Sequence, residues 1–255
     1  MPQPLVLLSA GGYRSGSTLL YNLLGEYVEL ANTGRRIGYV EPGQVPLLAG
    51  PAWSFVEAMG VAVGKAHHTP AIPEGGDWSP LLDGRLLPVC TVRDWRDVLH
   101  SFSRAFGQPP AEVLASRRWR VNLDNVRWWR DSGAVMVGYE RLLTAPEDVL
   151  VEVAAAAGMA VDPGAAVRAC AAAGADGAGG VPGTTVAPLS TDADRRTLMH
   201  EGHVCTPHGG GWRQWDAATL ASVDAVLAPL AEEFATAPDG AAAPAACAGA
   251  GARGA

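Results

Sequence analysis

Residues 4–28 constrain the fold more than any other stretch of this 255-residue chain. The run "PLVLLSA", 4–10, has the length and composition of a fully buried strand. The glycine-rich "GGYRSGST" follows at 11–18, and "STLLYNLLGEYV" at 17–28 sets Leu20, Leu23, Leu24 and Tyr27 at helical spacing. A strand that turns through glycines straight into a helix belongs to α/β architecture. It also aims the helix N-terminus at whatever the loop encloses.

The loop fits G-x-x-x-x-G-K-[ST] at Gly11, Gly16 and Thr18, but Ser17 occupies the lysine position and an arginine stands at Arg14. In a phosphate loop that lysine reaches the β and γ phosphates, while the hydroxyl holds magnesium. Without it a magnesium-bound triphosphate is poorly served. The other parts still suit an anion: glycines for a backbone nest, hydroxyls at Ser15, Ser17 and Thr18, and the bidentate fork of Arg14.

Further buried strands are expected at 60–66, 86–92 and 134–139, with helices at 94–106, 111–131 and 146–157. Alternation of this kind predicts a parallel sheet with helices on both faces. A short alanine-rich helix is expected at 162–173, a flexible loop over "GADGAGGVPGTTVAPLS", and a last amphipathic helix at 216–234 with Asp216 as N-cap. One domain covers 1–236, and the Ala/Gly/Pro tail at 237–255 is expected to be disordered.

Composition excludes several classes. The net charge of −7 argues against a general nucleic-acid binder. Residues 93–130 hold eight arginines and four acids with Trp95, Trp119, Trp128 and Trp129, but a doubly anionic nucleotide accounts for local positive charge. No run of 18 apolar residues offers a membrane span, and the N-terminus lacks a basic signal region. Cys90, Cys170, Cys205 and Cys247 show no C-x-x-C spacing, so a reduced, cytoplasmic protein is expected. His200, His203, Cys205 and His208 match no standard zinc spacing, and no metal is expected.

Three more segments bear on chemistry. In "VRDWRDVLHS", Arg93 leaves a strand at its carboxyl end, where open sheets bind ligands, and Ser101 lies eight residues on. "YERLL" sets Tyr139 after another strand. In "GKAHHTP", Lys65 and His67 are two apart at a strand end and so share a side. Lys65 is the only lysine in the chain. A histidine beside a cation suits removal of a proton from an attacking hydroxyl.

Taken in order, these segments resemble the sulfotransferases that use 3′-phosphoadenosine 5′-phosphosulfate (PAPS). The family opens with [KR]-x-G-[ST]-[ST], here "RSGST"; its second motif pairs an arginine with a serine eight residues later, here Arg93 and Ser101. Its base is the histidine of K-x-H ahead of a proline, matched by Lys65, His67 and Pro70. The resemblance implies a P-loop-like sulfotransferase fold over residues 4–235. It implies PAPS as co-substrate, held by Arg14, Ser15, Gly16, Ser17, Thr18, Arg93 and Ser101, with Tyr139 toward the adenine. It further implies catalysis by His67, Lys65 and Arg14 on an acceptor hydroxyl of a small molecule or glycan.

There are departures. Leu19 stands where cytosolic members have an adenine-stacking tryptophan, and the late R-K-G motif is missing from "HVCTPHGGGWRQW", 203–215. That segment is nearer to the arginine-ending version of other bacterial members, which makes Arg213 a candidate for the 3′-phosphate. His68 adjoins His67, and register with Lys65 favours His67 as the base. The rival readings are an atypical small-molecule kinase, for which only Glu140 could serve as the strand-end acid, and a non-catalytic nucleotide-binding relative.

Overall fold

The computed structural model describes residues 5–173, 196–198 and 209–235. Five strands form one parallel sheet in the order β2-β3-β1-β4-β5 among these residues. They are β1 (Leu5–Gly11), β2 (Gly34–Tyr39), β3 (Val61–Lys65), β4 (Leu86–Val92) and β5 (Val135–Gly138).

Alternation along the strands divides the interior into two cores. Leu5 and Leu7 of β1, Val61 and Val63 of β3 and Val89 of β4 face α1 (Ser17–Leu30), α8 (Pro146–Ala156) and α9 (Pro163–Ala172). Val6, Leu8, Ala10, Ala62, Leu86 and Cys90 point the other way. There they meet α3 (Trp53–Met59), α4 (Trp95–Phe106), α6 (Arg117–Asp131) and α10 (Ala217–Ala235). Each fully buried Val or Leu contributes roughly 1.5–3 kcal/mol by leaving water, so both faces of the sheet must be covered. The shorter helices are α2 (Val45–Ala49), α5 (Pro110–Ala115) and α7 (Tyr139–Thr144).

Two expectations are corrected, and one strand is added. The helix expected over 111–131 is two, because the Ser116 side chain accepts from Trp119 N and starts α6 afresh after α5. Tyr139 does not end a strand; it opens α7 behind Gly138. The sequence reading missed β2, an edge strand with two arginines and a register shift between Arg36 and Gly38. Arg36 lies inward there, bonded to Glu26 at 2.8 Å and Glu29 at 2.6 Å on α1, which the chain composition of "GRRIGY" does not advertise. Asp216 caps α10 as expected, accepting from Thr219 N at 2.8 Å. No helix among the described residues is long and apolar enough to cross a membrane. The loop after 173, the His200–His208 group and the tail lie outside the described residues.

Candidate active site

The chain leaves β1 toward β2 on one side of the sheet and leaves β4 toward β5 on the other. Between these two strands an open α/β sheet has its crevice, at the carboxyl ends. The ends of β1, β4 and β3 there are Gly11, Val92 and Lys65, so the loop, Arg93 and the Lys65–His68 segment converge.

The loop geometry depends on glycine. Gly11 has φ of 119°, and a β-carbon on it would sit 2.7 Å from the Thr91 hydroxyl oxygen. Gly16, with φ of 99°, leaves no room for one either, since Tyr139 Cδ2 would be 2.3 Å away. Arg14 adopts φ of 67°, a conformation that costs an arginine of order 1 kcal/mol and that recurs at ligand sites. Helix α1 begins at Gly16 with no side-chain cap and no acidic residue in its first turn. Its N-terminus is therefore suited to an anion, and the absence of a competing carboxylate is what such a site needs.

The hydroxyls of the loop differ in direction. Ser15 Oγ donates to Gly12 O at 2.7 Å and meets Thr91 Oγ1 at 2.7 Å, so it turns into the sheet. Thr18 Oγ1 accepts a hydrogen bond from Lys65 Nζ. Lys65 is 5% exposed, and burial together with the Arg14 charge holds its pKa down at about 7. Arg14 Nε donates to Ser101 Oγ at 2.7 Å, joining the loop to α4.

The two histidines have opposite surroundings. His67 Nδ1 lies 3.0 Å from Gly11 O, an acceptor only, so Nδ1 carries the proton. Nε2 then holds the lone pair and faces Ser17 Oγ at 3.4 Å. His68 Nε2 lies 2.7 Å from Val40 O and donates to it, while Gly76 N–H donates to Nδ1 at 3.1 Å. Its ring stacks on Trp78 at 5.5 Å, and burial lowers its pKa. Both nitrogens of His68 are used inside the protein.

On the far side of the crevice, the Arg93 guanidinium lies 4.2 Å from the centre of the Tyr139 ring, and that ring rests on Gly16. Burial raises the Tyr139 pKa, with the Arg93 charge opposing. Asp97 Oδ1 accepts from Gly210 N at 2.6 Å, which ties the segment from Gly209 to this corner. Arg213 follows one turn later, exposed, 4.8 Å from the Trp212 ring centre. The structure thus brings Arg14, Ser15, Gly16, Ser17, Thr18, Lys65, His67, Arg93, Ser101 and Tyr139 to one crevice, with Arg213 at its rim.

Sequence reading missed four residues. Asn125 Nδ2 donates to His67 O at 2.7 Å, and Asn122 accepts from Tyr13 N, both Asn side chains being buried. Tyr13 lies 4.5 Å from the His67 ring, and Tyr39 lies 6.1 Å from it. A signal existed: two asparagines three apart in a helix whose other inward positions are Trp119, Leu123, Val126 and Trp129.

No protein-family model and no curated sequence matches the chain. Solved structures do. Retinol dehydratase in complex with retinol and 3′-phosphoadenosine 5′-phosphate (PAP) is 14% identical with a TM-score of 0.57, over 91% of this chain and 82% of that one. Mouse sulfotransferase SULT7A1 complexed with PAP is 11% identical with a TM-score of 0.55, over 93% and 87%. This chain has the sulfotransferase fold. The sulfotransferase domain of the Synechococcus PCC 7002 olefin synthase, 18% identical with a TM-score of 0.53, spans 92% of this chain and 95% of its own. In the sulfotransferase fold the present chain sets its loop, its one lysine and His67 around the β1–β4 crevice.

Proposed function

We propose that this protein transfers a sulfuryl group from PAPS to an acceptor hydroxyl of a small molecule or glycan. The observation that carries the reading is the tautomer of His67, fixed by Gly11 O, beside a buried lysine and an uncapped helix N-terminus. Two of the similar structures hold PAP, the product that such a donor leaves.

The residues fit this donor. Main-chain N–H groups of the loop and the Thr18 hydroxyl hold the 5′-phosphate, Arg93 and Ser101 hold the 3′-phosphate, and Tyr139 meets the adenine. Arg213 adds charge at the 3′-phosphate side. His67 Nε2 takes the acceptor proton as the acceptor oxygen bonds to sulfur, and the bond from sulfur to the 5′-phosphate oxygen breaks. Lys65 and Arg14 stabilise the charge that grows on that oxygen. Lys65, held near neutrality by its burial, becomes fully charged when anionic oxygens arrive beside it.

Incubation with PAPS and a panel of phenols, alcohols and sugars tests this, read by PAP release and by product mass. A product heavier by one sulfuryl group is the expected result. Phosphorylation of the same panel from ATP, with no use of PAPS, would overturn it. Arg93→Ala is expected to weaken PAP by roughly 10- to 100-fold, as loss of a contact to a charged group should. It should leave adenosine 5′-phosphosulfate, which lacks the 3′-phosphate, nearly unchanged.

A further inference from the structure

The segment that carries Arg213 is fastened to α4 at three places. Gly210 N donates to Asp97 Oδ1 at 2.6 Å. The Trp212 ring centre lies 4.1 Å from the Arg96 guanidinium, which Asp94, the N-cap of α4, holds at 2.9 and 3.2 Å. The Gln214 side-chain amide meets His100 Nε2 at 2.6 Å, and the Trp215 ring lies 5.9 Å from that of His100. Arg213 falls between the last two of these anchors, with its guanidinium 4.8 Å from the Trp212 ring centre.

Two of the anchors are unfavourable in themselves. Asp97 is 4% exposed and His100 2%. A buried carboxylate costs stability unless it holds something, and on the helix that bears Ser101 it also works against a bound phosphate. What Asp97 holds is a double glycine. Gly209 and Gly210 have φ of 73° and 74°, the left-handed region. A β-carbon on Gly209 would sit 2.7 Å from Asp97 Oδ2 and 3.7 Å from Arg93 Nη2, and one on Gly210 would overlap Arg213 Nη1. Arg93 and Arg213 therefore both lie against the double glycine, and Asp97 pins the main chain that separates them.

We propose that Asp97 and Trp212 are positioning residues for the 3′-phosphate of the donor, acting through Arg213; this rests on the donor reading above. Asp97 sets where the main chain runs, and Trp212, stacked on Arg96, aims the guanidinium. His100 anchors the far end through Gln214. Arg213 is exposed, and a long side chain in solvent loses rotamer freedom whenever it grips a ligand. Holding it beforehand removes part of that loss.

Calorimetric titrations with PAP and with adenosine 5′-phosphosulfate, which lacks the 3′-phosphate, test this. Arg213→Ala should weaken PAP by roughly tenfold, the size of one charge-assisted contact. Asp97→Ala and Trp212→Ala should each weaken it by roughly three- to tenfold and leave adenosine 5′-phosphosulfate within about twofold. In Arg213→Ala protein neither second substitution should weaken PAP further. Asp97→Asn keeps an oxygen for the Gly210 N–H and loses the charge, so it should bind PAP at least as tightly as wild type. Trp212 is half-buried, and Trp212→Ala carries the same cycle where Asp97→Ala does not fold. Losses that persist in the Arg213→Ala background, equal losses for both ligands, or unaltered PAP affinity in the single variants overturns the proposal. So does weaker PAP binding by Asp97→Asn than by Asp97→Ala. All of these outcomes spare the donor reading, whereas failure of wild-type protein to bind PAP removes that reading and this proposal with it.

Discussion

The two sides of the segment that ends β3 put the same residue type to different uses. Lys65 and His67 face the loop and α1, in a crevice with Arg14, Thr18 and Gly11 O. His68, one residue on, faces Val40, Gly76 and Trp78, where every polar group of its ring has an internal partner. Alternation along an extended chain is enough to separate a candidate base from a structural histidine. What distinguishes them is what they meet: His67 bonds Gly11 O and faces Ser17 Oγ at 3.4 Å, both in the glycine-rich loop, whereas His68 is held by Val40 O, the Gly76 N–H and the Trp78 ring away from it.

Exchange of each histidine should therefore fail in different ways. His67→Ala is expected to lower turnover by about 100-fold or more, with PAP affinity nearly intact, because the base acts on the acceptor. His68→Ala should keep most of its specific activity. The comparison breaks if the activities fall the other way round.

The next effect is on stability. His68→Ala removes a stacked ring and leaves Val40 O and the Gly76 N–H without partners, which should cost about 2 kcal/mol in urea unfolding. His67→Ala loses the bond to Gly11 O at 3.0 Å but no stacked tryptophan, and should cost less. Equal losses would mean that both histidines are structural.

A smaller effect sharpens the account of how His67 is held. Asn125 bonds His67 O and also accepts from Thr69 Oγ1 at 2.7 Å, so it fixes the backbone that carries the base. Asn125→Ala should lower kcat by roughly tenfold with little change in the Kd of PAP. A change in PAP affinity as large as that in kcat would show that the residue supports the whole crevice and not the base.

The smallest signal concerns the proton on Lys65. With its pKa near 7 in the unliganded protein, Lys65 is mostly neutral at about pH 8. Bound anion favours the charged form and raises the pKa, so binding takes up as much as one proton, and affinity declines as pH rises above 7. Titrations in buffers of different ionisation enthalpy measure that uptake. Lys65→Met should abolish it, and uptake that survives in Lys65→Met would assign the proton elsewhere.

Legibility in the sequence followed the range of the interactions. The loop from Gly11 to Thr18 could be read because its glycines, hydroxyls and arginine lie within eight residues and serve one local geometry. The strands β1, β3 and β4 showed as apolar runs because both their faces are buried. Edge strand β2 did not, because its ion pairs to α1 replace the hydrophobic pattern. The break at Ser116 was hidden because apolar residues continue across it, and only the cap bond to Trp119 N divides the helices. The contact of Tyr13 with Phe102 was invisible for another reason: the two rings come within 6.4 Å only once α4 packs beside the loop.

The central claim is that the loop is built for a nucleotide bisphosphate and its sulfated donor, not for a magnesium triphosphate. Calorimetric titration of the protein with PAP and with ATP, each with and without magnesium, tests it most directly. PAP should bind with micromolar or tighter affinity whether or not magnesium is present, and ATP should bind far more weakly under both conditions. Tight, magnesium-dependent binding of ATP with none of PAP would contradict the account.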